Sequence, residues 1–526
     1  MAPSVETPSK SWTTVTSDTD LVKHLLELYF CWEYPTLASL SREHFLQDFI
    51  SGSSTYCSPL LVNALLALGS RFSDRQETRT DPDNPFTAGD AFFEEAKRLF
   101  WEQTDHHCLT TVQATGIMSI REASCGRDTD SRYYAGQSVR LAIEMGLHRL
   151  DDDGQGDDYM TVQLITFWGA FSLDHAWSLT TGYLPQFSRF PRFPSKVHLN
   201  PEVEEAPWAP YTDDGPDPRP EARQPCHIRT VFNCFCELSE IVHGALYTLH
   251  CPAKTPTSQA ITEIYNKYLH WYDTIPDVLR LGINFTPQVL FVHIYYHYAI
   301  LHTFRPFLRL RILNSRILPR QLCLQAADAI QAHMRAYSDL YGLRRTPSFL
   351  PYVVLGSSRI YLAIEQLGSS GPGDFDSWLT AHVNAPHSSR SSDVSRHAAD
   401  ALKANLVALE EMALCHRAAH VGVRMLRHLT RAWGVYSELK ESIDGEPGPM
   451  GVLATRRAVA AGRAPGFFGN EEGGGREAGA ADDGGQETEM LRSALFWPAA
   501  RVPPVIVPAG ADLEALGFAE LGGKSG

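Results

Sequence analysis

The sequence predicts an all-α protein, a large multi-helix domain followed by a disordered, glycine-rich C-terminal tail. Apolar residues recur at helical spacing over most of the chain before Glu441, and the alternation with a period of two that is typical of strands is almost absent. Beyond Glu441 the chain is rich in glycine, and such a composition cannot bury enough apolar surface to offset the entropy of ordering.

The chain is organised around a predicted helical hairpin, residues 133–149 and residues 160–174. The first segment carries one apolar stripe opposite a polar face, and Gly146 is predicted to close it in the left-handed conformation. The residues Asp-Thr-Asp at 128–130 are predicted to supply its N-cap. The second segment is apolar almost all round, which predicts a helix buried in a larger helical core, and only Asp174 interrupts it.

The remaining helices follow from the same spacing, with Pro, Gly and polar loops marking their ends. They are predicted from Asp18, as N-cap, to near Pro35 and over 41–50, 58–72, 86–101, 109–124, 226–249, 261–274, 287–304, 319–341, 350–367 and 394–439. The predicted organisation is a disordered N-terminus (1–17), a first helical half (18–200), a Pro-rich crossover (201–225), a second helical half (226–440) and the acidic, Gly-rich tail (441–526).

Composition limits the function classes. The net charge is −15 and no basic run exceeds an Arg-Arg pair, so the chain as a whole is not expected to grip nucleic acid. The ten cysteines show no disulfide spacing, which indicates a reducing compartment. No signal peptide and no membrane-length apolar run is found, so we expect a soluble intracellular protein.

Motifs for metal binding and catalysis are incomplete. His293 and His297 have the spacing of a zinc-binding helix, but Ile294 stands where a metalloprotease needs glutamate, so we interpret both as core histidines. Cys234 and Cys236 lack a second cysteine pair, and no C-x-x-C occurs. No nucleophile elbow, P-loop or dinucleotide fingerprint is present. We therefore predict no metal site, no catalytic residues and no enzyme.

Asp174 is predicted to be paired or hydrogen-bonded. A carboxylate on an otherwise apolar helix needs a cation or hydrogen-bond donors, because an uncompensated buried charge costs about 3–5 kcal/mol. The candidate cations are Arg121, Arg140 and Arg149, which lie on neighbouring predicted helices. We interpret such a pair as a structural lock on helix packing rather than an effector-binding group.

Three stretches, in matching order, carry a resemblance to a known family. Residues 133–149 (YYAGQSVRLAIEMGLHR) lead into FWGAFSLD at 167–174, YYHY at 295–298 leads into RPF at 305–307, and 323–330 reads Cys-x-x-Ala-Ala-x-x-Ile. Over roughly residues 21–367 this set resembles the regulatory (middle homology) domain of fungal zinc-cluster transcription factors, in the xylanolytic-activator and nitrate-regulator branches. One departure is Gly182-Tyr183-Leu184-Pro185, where that family usually has Gly-Arg-Pro.

The resemblance implies a nuclear regulator of RNA polymerase II transcription of metabolic genes. Because the family's zinc-binding cysteine array is absent, we expect no cofactor in this chain and DNA contact only through a module outside it, either in a longer gene product or in partner proteins. Expected partners are co-regulators or the transcription machinery, a second copy of the chain and a small-molecule effector, with no membrane. The resemblance implies a structural or regulatory core of Arg140, Gly146, His148, Arg149, Trp168, Asp174, His297 and Arg305.

Three further readings accompany this one. In the tail, Leu513, Leu516, Phe518 and Leu521 alternate with acidic residues, which is typical of an activation segment that docks as an induced helix. One alternative function is an all-α small-molecule binder or enzyme that uses an aromatic cavity around Phe167, Trp168, Tyr295 and Tyr296. The other is a cluster-less scaffold or dimerisation protein, which an extended apolar surface patch would support.

Overall fold

The structure is a computed structural model. It describes residues 6–150, 158–187, 192–217, 223–251, 255–369, 387–433 and 511–521. Helices dominate these residues, which confirms the predicted all-α class.

The helices are joined mostly by short loops and single 3₁₀ turns. They span Thr19–Trp32 (α1), Arg42–Ser51 (α2), Pro59–Gly69 (α3), Asp90–Glu102 (α4), Leu109–Ser124 (α5), Asp128–Glu144 (α6), Asp158–Thr181 (α7), Pro201–Glu204 (α8), Ile228–His250 (α9), Ser258–Thr274 (α10), Pro287–Phe304 (α11), Pro319–Tyr341 (α12), Leu350–Ser369 (α13), His387–Met412 (α14) and Arg417–Trp433 (α15).

The strands are short antiparallel pairs, and some of their side chains, Trp208, Leu310, Ile312 and Phe518, pack into the hydrophobic core. Three pairs occur in the described residues: Pro207–Trp208 (β1) with Gln224–Pro225 (β4), Tyr211–Thr212 (β2) with Gly215–Pro216 (β3), and Leu310–Ile312 (β5) with Phe518–Glu520 (β6). The first two pairs lie in or beside the proline-rich crossover, where Trp208 packs edge-on against Trp32 of α1.

One large hydrophobic core runs through both predicted helical halves. Helix α5 is buried along its whole length and packs against α3, α6 and α7. Helix α11 packs against α9, α12 and α13. Helix α7 contacts both α5 and α9, so the predicted hairpin lies where the two groups of helices meet.

The hairpin differs from its prediction at the start of its first helix and at the end of its second. Helix α6 begins at Asp128 and its N-cap is Arg127, which makes no side-chain capping bond, so the predicted capping by residues 128–130 is wrong. Asp128 and Asp130 lie inside the first turn, where carboxylates interact favourably with the positive end of the helix. Gly146 is left-handed (φ 75°), as predicted, whereas α7 continues past Asp174 to Thr181 and ends at the left-handed Gly182.

The long helix predicted over 394–439 is two helices, α14 and α15, with a turn at residues 413–416. Tertiary bonds account for the turn: the Cys415 thiol donates to the carbonyl of Arg71, and the His416 ring bonds the Ser124 hydroxyl and the Thr346 carbonyl. Residues 413–416 contain neither glycine nor proline, so distant contacts have overridden the local helical pattern at this point.

Part of the predicted tail packs on the body. Residues 434–510 and 522–526 lie outside the described residues, but residues 511–521 form a turn and β6. Phe518 is completely buried there, with its ring stacked on Phe307 at 5.1 Å between centroids. Residues 511–521 are therefore an exception to the predicted disorder of the tail.

Candidate functional site

A cavity of about 450 Å³ opens between α6, α7 and the loop that follows α7. Four α7 residues at the spacing i, i+3, i+4 and i+7 form one wall, so a single face of the helix lines it. Its lining residues are Thr129, Arg132, Tyr133, Ala135, Asp174, Trp177, Ser178, Thr181, Tyr183, Leu184 and Gln186. This mixture of aromatic faces and a few convergent polar groups is typical of small-molecule sites.

Asp174 lies at the wall of the cavity and is 4% exposed. Its carboxylate accepts the backbone N–H of Phe187 at 3.1 Å and that of Gln186, so the loop after α7 closes over the end of this side chain. Burial raises the pKa of Asp174 to about 7, against the lowering by these two hydrogen bonds. The group therefore changes charge near neutral pH.

Of the two predicted possibilities for Asp174, the structure confirms the hydrogen-bonded one. The ion pair with a candidate arginine is not formed, because all three candidate cations lie elsewhere. Arg121 pairs with Asp90 and Glu122, while Arg140 lies 3.9 Å from Glu144. The Arg149 side chain donates to the ring of His148. Backbone amides, which sequence spacing cannot reveal, supply the partners that electrostatics demands.

Trp177 lines the cavity with its indole, whose N–H is buried. The indole is 5% exposed and packs against Phe349 and Tyr352, and its Nε1–H finds no hydrogen-bond partner among the residues that the structure describes. Because buried donors are almost always paired, an unpaired one on a cavity wall indicates a place for an acceptor from a ligand or from water. It stands one helical turn from Asp174, which offers acceptor oxygens when it is ionised.

Tyr183 and Arg132 lie at the mouth of the cavity. Tyr183 is 53% exposed, and the guanidinium of Arg132 lies over its ring at 5.2 Å. Tyr183 follows Gly182, where the resembled family usually has arginine, so in this chain α6 supplies a guanidinium at the mouth. Gly136 allows the Gln186 side chain to approach α6, since a Cβ at position 136 would lie 3.0 Å from the Gln186 Oε1.

Of the predicted core residues, only Asp174 lines this cavity. Gly146, His148 and Arg149 form the turn after α6, and Arg140 is exposed on α6. Trp168 is fully buried in α7, where its indole N–H donates to the Ser195 carbonyl and the Lys196 ammonium lies over its ring. His297 of α11 lies beside His333 of α12. Arg305 follows α11. The structure thus places these residues at several separate positions.

The aromatic cavity of the alternative function is not found at its predicted residues. Phe167 and Trp168 are completely buried in one hydrophobic cluster, and Tyr295 and Tyr296 belong to another. Their rings pack against other rings, as in Tyr295 against Phe235 at 4.8 Å. These side chains fill the core, and the cavity lies at the polar end of α7.

The histidines and cysteines are dispersed. The His293 ring bonds the carbonyl of Leu279, and burial with the nearby His333 lowers the pKa of His297 to about 3. All ten cysteines are free thiols. In the described part of the chain no group of three or more His, Cys, Asp or Glu side chains could hold a metal, so these residues do not fit the zinc that the resembled family carries.

Comparison with known proteins identifies the family. Residues 26–273, which include the hairpin and the cavity, match the fungal specific transcription factor domain. The chain is 38% identical over 369 residues to the nitrogen assimilation transcription factor nirA of Emericella nidulans, and 35% identical over 376 residues to nit-4 of Neurospora crassa. Residues 26–273 form a fungal-specific transcription factor domain.

The match to these relatives is partial in length. It covers 67% of this chain and 41% of nirA, and 68% of this chain and 34% of nit-4. The notoamide biosynthesis transcriptional activator notL' of Aspergillus versicolor is 26% identical over 349 residues, which are 64% of this chain and 53% of that protein. No solved structure matches this fungal-specific transcription factor domain. Among its described helices, none combines the length and the apolarity that a membrane crossing requires.

Sequence reasoning missed most of the cavity of this transcription factor domain. Trp177, Ser178 and Thr181 were hidden because the predicted helix ended at Asp174. The heptad-like spacing of Asp174, Trp177, Ser178 and Thr181 was a usable signal, since it places four hydrogen-bonding residues on one face. Arg132 and Gln186 had no such signal, because only the fold brings them to α7.

Proposed function

We propose that this chain is the regulatory part of a transcription regulator of metabolic genes, with nitrogen assimilation as the first candidate process. The family match and the names of the nirA and nit-4 relatives support the proposal. Because the chain spans well under half of either relative, DNA contact is assigned to a module outside this sequence, and nuclear location and co-regulator binding are part of the same proposal.

The regulatory input is proposed to be a small molecule in the cavity beside Asp174. The observation that carries this step is a pair of buried groups on two α7 residues of the wall: among the described residues, the Trp177 indole N–H finds no acceptor and the Asp174 carboxylate finds no cation. A primary amide complements both, since its carbonyl accepts from Trp177 and its NH₂ donates to Asp174. Small nitrogen compounds that contain an amide are therefore the proposed ligand class.

A reporter assay tests the transcriptional role. The full chain is fused to a heterologous DNA-binding domain, and reporter output is compared with that of the DNA-binding domain alone. We expect a changed output, and a second fusion that ends at Glu441 shows whether the tail contributes. Identical output from the full fusion and from the bare DNA-binding domain would contradict the proposal.

Thermal unfolding of the purified chain tests the ligand class separately. L-glutamine and acetamide are expected to raise the Tm, because a ligand that binds only the folded state stabilises it by mass action. Trp177→Phe replaces the indole by a smaller aromatic ring that has no N–H, so it should abolish the rise, whereas Trp101→Phe, at a 65% exposed position, should keep it. If neither amide shifts the wild-type Tm, the amide assignment fails while the reporter result stands.

A further inference from the structure

The C-terminal segment 511–521 binds the body through main-chain pairing. Strand β6 lies antiparallel to β5, with Ala519 opposite Arg311. The pairing extends at both ends, because the Leu313 N–H donates to the Gly517 carbonyl and the Leu521 N–H donates to the Arg309 carbonyl, each at 2.9 Å. The Ser258 N–H, at the start of α10, donates to the Leu516 carbonyl. Residues 434–510 separate this segment from α15 along the chain.

A single side chain anchors the segment in the core. Phe518 is completely buried, and its ring is parallel to that of Phe307 within 10°. A tight turn precedes it, in which the Phe518 N–H donates to the Leu513 carbonyl and the Asp512 carboxylate accepts the N–H of Ala515. Leu513 and Leu516 are only partly buried against the core.

Gly517 makes the contact selective. It has a φ of +80°, and a Cβ at this position would lie 2.0 Å from the Ser258 Oγ. A larger residue would therefore meet both backbone strain and a collision with α10. The surface formed by β5, Phe307 and Ser258, the β5 edge, accepts a strand in which glycine precedes phenylalanine.

The charges of the two sides are complementary. Asp512, Glu514 and Glu520 are exposed on the segment, and two arginines are exposed on the body, Arg309 just before β5 and Arg311 in it. Opposite charges across a short interface favour the encounter and fix its register. The area is nevertheless small: only three residue pairs form the ladder, and one side chain is fully buried.

We propose that the β5 edge is a peptide-docking surface and that its occupant is the chain's own residues 511–521, bound reversibly. The mode is strand addition to an exposed edge, with main-chain bonds for affinity and one aromatic pocket for specificity. Release exposes Leu513, Leu516 and Phe518 together. These are three of the four apolar residues of the predicted activation segment. The further consequence, that docking withholds this segment from a co-regulator, rests on the proposed function.

Hydrogen exchange on the full chain tests the docking. In the wild type the amides of 309–313 and 517–521 should be protected together. Gly517→Val should raise the exchange rate of both segments by roughly tenfold or more, because local opening becomes the stable state. Ser258→Leu, the matching block on the body, should do the same, whereas Ala515→Val, at an exposed position of the segment, should not. Equal exchange in the wild type and in Gly517→Val would overturn the proposal.

A peptide added in trans tests reversibility. A synthetic peptide of residues 509–523 should restore protection of 309–313 in the Gly517→Val chain, and the same peptide with Phe518 replaced by Ala should not. If the wild-type peptide does not restore protection, reversible binding of the segment at this surface is overturned. Protection in the wild type that falls on dilution would show that a second copy supplies the segment, which would overturn docking within one chain.

The reporter fusion then measures whether docking of the segment changes transcription. If docking withholds the segment, Gly517→Val should raise reporter output several-fold over the Ala515→Val control. Unchanged output together with lost protection would remove the transcriptional consequence and leave the docking surface intact. Loss of all output in every fusion would instead count against the proposed function.

Discussion

Arg121 on α5 and Asp174 on α7 are both buried charged side chains on helices that pack together, but they are satisfied in opposite ways. Arg121 is 1% exposed, ion-pairs with Asp90 and Glu122, and lies over the Phe93 ring. Glu122 is also held by Arg127, at 2.5 Å. Asp174 has only two backbone N–H donors and borders a cavity.

The difference separates a structural charge from a responsive one. The Arg121 cluster is charge-balanced, and its ion pairs lower the pKa of Glu122, so it keeps its charges at neutral pH. Burial disfavours the ionised form of Asp174, and no cation among the described residues compensates for it. Its protonation state can therefore change with pH or when a ligand binds. Four substitutions test this contrast, from the largest expected effect to the smallest.

Arg121→Met should lower the free energy of unfolding by about 3–5 kcal/mol, because it removes the buried cation of the cluster, so that Asp90 loses this partner and buried Glu122 keeps only Arg127. Urea denaturation measures the loss. Arg98→Met is the control, since Arg98 is half-exposed and pairs with Glu95 and Glu102 on the surface, where a pair contributes about 0–1 kcal/mol. Equal losses in the two variants would break the distinction between buried and exposed clusters.

Asp174→Ala should lower the free energy of unfolding by roughly 1–3 kcal/mol, because the N–H groups of Gln186 and Phe187 lose their acceptor. The measurement is urea denaturation at pH 6. Asp174→Asn, whose side-chain oxygen still accepts a hydrogen bond, should recover part of the loss. A loss as large as that of Arg121→Met would indicate a buried counter-ion after all.

The pH dependence of Asp174→Asn should differ from that of the wild type. The raised pKa means that the folded state keeps this proton to about pH 7, whereas the unfolded chain releases it near the ordinary aspartate pKa of 3.8. The contribution to stability is therefore present at low pH and lost as pH rises through 7. Relative to the wild type, Asp174→Asn should gain about 1 kcal/mol or more between pH 5 and pH 8. A constant difference in Tm across this range would show that Asp174 does not titrate there.

Tyr183→Ala should have the smallest effect on stability, about 0.5–1 kcal/mol, because it removes an exposed ring under Arg132. Tyr183→Phe keeps the ring and should match the wild type in thermal unfolding. If glutamine binding weakens in Tyr183→Ala but not in Tyr183→Phe, the mouth of the cavity contributes to the site. Unchanged binding in both would confine the site to the α7 wall.

Helix positions were predictable where local signals are strong. The bounds of α5, α11 and α12 agree with the prediction, and a proline at the first position starts both α11 and α12. The Asp18 N-cap also agrees, since its carboxylate accepts the N–H groups of Asp20 and Leu21. Such signals act within one turn, so the sequence alone displays them.

The cavity and the docked segment were not predictable in this way. Asp174 stood out as a polar residue in an apolar helix, but its partners, the amides of 186–187, come from a loop that folds back on α7. In the C-terminal segment the apolar pattern around Phe518 was visible, whereas its pairing with β5 joins residues far apart in the chain. Long-range contacts of this kind produce no periodic pattern in the sequence.

The turn at residues 413–416 ties together parts of the chain that are synthesised at very different times. Through Cys415 and His416 it provides hydrogen bonds to Arg71, Ser124 and Thr346. A nascent chain that ends before this turn leaves those groups without their partners, so the helical body cannot complete its core until its last helices emerge. Early termination should therefore yield an aggregation-prone chain that depends on chaperones rather than a smaller stable domain.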